Sequence, residues 1–106
     1  MFYEWNGFKL RLDAKRIVEL EDKLGGKSPL SILAVVQENK LPSLKDLLLV
    51  LHLSLQPYHH GFTLEKVYEL YDNFTEEGHT FNEFLQVIIE VYKSSGLIPK
   101  EVNEKN

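Results

Sequence analysis

The chain has 106 residues, 43% hydrophobic and 26% charged, with no cysteine and a formal net charge of −4. A chain of this length buries roughly 65% of its unfolded surface, enough for one core, and its apolar content excludes intrinsic disorder. Disulfides, thiolate metal sites and cysteine nucleophiles are excluded outright, and no run of about 18 uncharged apolar residues exists to form a transmembrane helix.

Residues 2–12 read as a β-hairpin. Phe2–Trp5 and Phe8–Leu12 flank Asn6-Gly7, a pair that supplies the positive φ angles of a type I′ turn. Phe8, Leu10 and Leu12 alternate with Lys9 and Arg11, the period of a half-buried strand. A hairpin alone is marginal in water, so its apolar side requires a helical partner.

Asp13 is placed to cap a first helix over Ala14–Leu24, which Gly25-Gly26 ends. Ser28-Pro29, an N-cap followed by proline, starts a second helix through about Gln37. Leu30, Ile32, Leu33, Val35 and Val36 give that helix little polar relief, so it is expected to be well buried. Ser43 caps a third helix, Leu44–Gln56, with a stripe of Leu44, Leu47, Leu48, Leu51 and Leu55. Leu49, Val50 and Leu53 widen that surface, so the helix is either central to the core or partly used by a partner. Pro57 stops it, and residues 57–62 form a loop.

Thr63 caps a fourth helix, in which Leu64, Val67, Tyr68, Tyr71 and Phe74 repeat at helical spacing. After a polar break, Thr80 and Glu83 form a capping box, and a fifth helix runs to Gly96. Residues 1–98 are therefore expected to form one compact, mainly α domain of about five helices. Residues 99–106 form a polar tail expected to fray.

Charge is uneven along this order. Residues 1–62 carry eight Lys/Arg and seven Asp/Glu, a balance of +1, whereas residues 63–106 carry four and nine, a balance of −5. An acidic C-terminal part repels phosphate backbones and weighs against nucleic acid as a partner. Nor does Met1–Trp5 have the basic region or apolar core of a secretion signal, so a cytoplasmic location is expected.

The candidate chemical motifs are weak. His59 and His60 are adjacent and diverge, and no histidine pair has the i,i+4 spacing that puts two imidazoles on one helix face. The stretch Asp72–Glu83 has the length of a calcium loop. Starting at Asp72 puts Glu77 where the sharp turn needs glycine; starting at Asn73 replaces the final carboxylate with Phe84. Gly25-Gly26-Lys27-Ser28 lacks the spacing of a phosphate loop, and no serine stands in a nucleophile elbow. No catalytic, metal or cofactor residue is assigned, and a non-enzymatic role is expected. Most aromatics have core spacing, but Tyr58 and Phe62, in the loop beside His59-His60, are candidate exposed anchors. With Leu49 and Leu53 they make up the candidate partner-binding set.

The order of these features resembles the tail assembly chaperones of long-tailed phages and prophages, particularly those of Gram-positive hosts. The likeness runs from the Asn6-Gly7 hairpin through Gly25–Leu30, the Leu44–Leu55 stripe, Gly61–Glu65 and Tyr68–Asp72 to Ser94–Leu97. It covers roughly residues 2–98 and contains no catalytic signature. The resemblance implies a factor in the host bacterial cytoplasm, without cofactor, that binds the tape measure protein and aids polymerisation of the tail tube protein. Such factors are absent from the mature virion, and many have a frameshifted longer product. Self-association is a further expectation; nucleic-acid and membrane partners are not expected. Two other classes stand beside it. A helix-turn-helix DNA-binding regulator would need a basic recognition helix, but the last two helices are both acidic. A calcium-responsive helical adaptor would need the loop register that Asp72–Glu83 lacks.

Overall fold

The computed structural model describes residues 1–100; the expected fraying from residue 101 onward lies outside the described residues. Strands β1 (Tyr3–Trp5) and β2 (Phe8–Leu10) form the antiparallel hairpin, with Tyr3 opposite Leu10 and Trp5 opposite Phe8. Asn6 and Gly7 take φ of 52° and 81°, the two positive angles a type I′ turn demands. Trp5 and Leu10 are buried on the inner face, and Glu4 and Lys9 point outward. The ladder stops two residues before the expected Leu12 because the next amides find other partners. Arg11 N–H donates to the Ser54 carbonyl (2.9 Å) and Leu12 N–H to Ser95 Oγ (2.9 Å). The hairpin is thus stitched to two helix ends, which meets its need for a partner surface.

Helix α1 (Ala14–Lys23) starts at Asp13, whose carboxylate accepts from Arg16 N–H at 3.0 Å. It closes through Gly25 and Gly26, whose amides donate to Asp22 and Glu21 carbonyls. This is a Schellman ending, and Gly25 holds the left-handed φ of 72° that it requires.

The next segment departs from the expected long buried helix. Helix α2 is only Leu30–Ala34, followed by a 3-10 turn over Val35–Glu38 that Asn39 ends with φ 62°. Pro29 and Ile32 are buried, but Leu30 and Val36 are 43% and 41% exposed. The β-branched pair Val35-Val36 is a poor helix propagator. The apolar residues point all round the axis, while the core meets only the side at Pro29 and Ile32. That side is tied down by the Tyr92 hydroxyl of the last helix, which donates to the Pro29 carbonyl at 2.7 Å.

Helix α3 (Leu44–Leu55) begins at Ser43, whose Oγ accepts from Asp46 N–H at 3.1 Å. Seven of its twelve residues are buried. Helix α1, strand β2 and the two later helices all pack against it, so its wide apolar surface is mainly interior. At its end Pro57 has no N–H to give the Leu53 carbonyl, which Gln56 N–H serves instead at 3.2 Å.

Helices α4 (Leu64–Glu76) and α5 (Phe81–Ser94) complete the fold. The capping box is fully formed: Glu83 N–H donates to Thr80 Oγ1 and Thr80 N–H donates to Glu83 Oε1. Phe84, Val87, Ile88, Val91 and Tyr92 bury one side of α5. Trp5 meets Phe74 edge-on at 5.7 Å, and Tyr71 meets Phe84 at 5.1 Å. Half-buried Leu97 and Ile98 rest on the same core. Helix α4 is thinner in the core than its spacing implies: Val67 and Phe74 are buried, but Leu64 and Tyr68 are 41% and 45% exposed. The result is one mainly α unit with an N-terminal hairpin. Among the described residues no helix is long and apolar enough to cross a membrane.

Candidate functional site

Exposed Leu64 and Tyr68 stand one turn apart on α4 and face the outer side of α3. Between them and Leu44, Leu48 and Leu49 lies a groove of about 530 Å³. Leu44 and Leu49 are half-buried and Leu48 forms the floor. Lys23 from the end of α1, Lys45 and His52 complete the lining. The walls are therefore leucine and tyrosine, and the basic groups are two lysines and one histidine.

His52 sets the far end of the groove. Its Nε2 lies 3.0 Å from the Phe62 carbonyl, which also accepts from Gln56 Nε2 at 2.9 Å. A carbonyl only accepts, so His52 Nε2 carries the proton. These two side chains pull the residue 57–62 loop back onto the helix it has just left.

The four expected partner-binding residues separate into three places. Leu49 lines the groove. Leu53, one turn further on, is 2% exposed and belongs to the core. It borders the hollow that adjoins the groove, together with Arg16 and Glu19 of α1, and little of it reaches solvent. Tyr58 is 42% exposed and meets the Phe2 ring edge-on at 5.5 Å. Lys9 Nζ stands over both rings, 5.1 Å from Phe2 and 5.7 Å from Tyr58. Phe62 is half-buried against Phe8, 5.4 Å away. Tyr58 and Phe62 therefore fasten the loop to the hairpin, apart from the groove.

The histidines also serve separate elements. His59 Nε2 accepts from Lys9 N–H at 3.0 Å, so its other nitrogen holds the proton in this arrangement. His79 stacks on Phe74 at 4.4 Å, with Nδ1 3.4 Å from Glu83 Oε1. Among the described residues no group of three or more His, Asp or Glu is placed to hold a metal ion. Burial, and secondarily the Asp46 carboxylate, push the Tyr92 phenol above the usual tyrosine range. That hydroxyl is sealed in the core on the Pro29 carbonyl, so its role is structural.

By sequence, Leu49 reads as a candidate for a partner surface, whereas Leu44, Leu48, Leu64 and Tyr68 read as the core stripes of their helices. Their spacing is the same whether a neighbouring helix covers them or not, so no local signal separates the two cases. What the groove can do chemically is bind: it offers apolar contact along a trench with cationic edges. No curated protein and no solved structure matches the chain. Residues 5–106 match the model of a family of unknown function, DUF6096, and the chain belongs to that family.

Proposed function

We propose that this protein is a non-enzymatic assembly factor of the phage tail assembly chaperone class. In this reading it binds the tape measure protein in the host bacterial cytoplasm, aids polymerisation of the tail tube protein and is left out of the mature virion. The observation that carries the reading is the apolar groove between α3 and α4, whose walls expose Leu64 and Tyr68 beside Leu44 and Leu49. Exposed apolar surface of this shape, on a chain whose own core is already complete, fits the capture of an apolar helical stripe on a client. The resemblance in segment order supplies the identity of that client.

The test is co-expression of the full chain with the tape measure protein encoded beside it. The expected result is more soluble tape measure protein, its co-purification with the chain, and faster tube formation when tail tube protein is added. Unchanged solubility together with a negative pull-down refutes the reading.

A further inference from the structure

The groove has a charge signature at odds with the chain that carries it. The protein is acidic overall, at −4, yet no carboxylate lines the groove, and Lys23 and Lys45 stand at its edges. Both lysines are exposed, and neither has an ion-pair or hydrogen-bond partner among the described residues. Beyond Lys23 and His52 the trench continues into a shallower hollow that also takes in Lys15, Arg16 and Glu19. Arg16 reaches Glu19 through its terminal nitrogen at 3.5 Å, while its Nε is buried with no acceptor among the described residues. Four cations thus face the trench and hollow against one carboxylate.

The dimensions fit a helix. The lining residues of α3 and its C-cap run from Leu44 to Gln56, and at 1.5 Å per residue this is a trench of about 18 Å, roughly three helical turns. The apolar positions on α3 and α4 suit knobs at i, i+3, i+4 and i+7 of a helix laid along it.

We infer that the occupant of this groove is an amphipathic helix whose apolar stripe is bordered by carboxylates, with Lys23 and Lys45 as the residues that select for them. The inference rests on the reading of the groove as a client site and names the chemistry of the client segment. Leucine contacts supply most of the attraction. The lysines supply discrimination, because a helix bordered by lysine meets like charge at both edges.

The probe is a fluorescein-labelled synthetic peptide of about three helical turns with leucine at the four knob positions and glutamate at the borders. A second peptide has lysine in place of each glutamate. Anisotropy titrations use the full chain at low salt. The glutamate peptide is expected to bind and the lysine peptide to bind at least about tenfold more weakly. The double substitution Lys23→Glu/Lys45→Glu is expected to reverse that order, and raising salt to about 0.2 M to narrow the gap. Both sites are exposed, and an unchanged circular dichroism spectrum and urea midpoint verify the fold of the variant.

Equal affinity for the two peptides, no binding of either, or an order unmoved by the double substitution overturns the inference. So does a concentration-dependent mass in light scattering that the substitution abolishes, which would assign the groove to a second copy of the chain. The two proposals fail separately. If the double variant still solubilises the tape measure protein, the acidic-helix assignment falls and the tail assembly reading stands. If the chain takes the glutamate peptide but leaves the tape measure protein insoluble, the reverse holds.

Discussion

Replacing Tyr92 with phenylalanine removes one oxygen atom from the interior and tests how the Pro29–Ile32 segment is held. The Tyr92 ring is fully buried, and its hydroxyl donates at 2.7 Å to the carbonyl of Pro29, itself buried, 63 residues earlier in the chain. Phenylalanine keeps the packing and leaves that carbonyl without its donor, a loss of about 1–2 kcal/mol at neutral pH. With a urea slope of about 1.5 kcal/mol/M, the midpoint falls by about 0.7–1.3 M. Trp5, 7% exposed against Phe74 and Phe84, is the fluorescence reporter.

The pH dependence has a definite sign. The folded phenol sits above its ordinary value, mainly through burial and further through Asp46. Below about pH 10 both states hold the proton and the contribution is constant. Above it the unfolded chain ionises first, so stability from this group falls by up to about 1.4 kcal/mol per pH unit until the folded phenol also ionises. Tyr92→Phe has no such slope, and the gap between the two proteins should close near about pH 11. Equal urea midpoints at pH 8, or parallel alkaline profiles for the two proteins, would refute the buried hydrogen bond.

Two further substitutions separate interior from groove and test a helix start. Leu53→Ala should cost about 2–5 kcal/mol, because Leu53 is 2% exposed within the core cluster; Leu49→Gln should cost under about 1.5 kcal/mol yet abolish pull-down of the tape measure protein. Comparable urea midpoints for the two variants would contradict this placement. Thr80→Ala removes the hydroxyl acceptor of the capping box and should cost about 1 kcal/mol, whereas Glu83→Gln preserves an acceptor for Thr80 N–H and should cost less than half of that, by thermal melts.

The local grammar of the chain is legible in the sequence alone. Asn6-Gly7 dictates the turn through the φ angles it tolerates. Asp13, Ser43, Thr63 and Thr80 each accept a backbone N–H three residues on, a bond whose two ends lie within one turn of helix. Tertiary structure decided what those helices show to water. Burial depends on which neighbour arrives over a given side, and periodicity carries no record of that. Leu53 is 2% exposed, while Leu49, four residues earlier on the same helix, opens into the groove. Leu64 and Tyr68 have core spacing and yet stand 41% and 45% exposed among the described residues. The cationic border joins Lys23 to Lys45, residues on two helices that only the packing of α1 against α3 brings together. The sequence therefore determined the elements and their ends through short-range hydrogen bonds. The groove belongs to the packing, because it is the space that three helices leave between them.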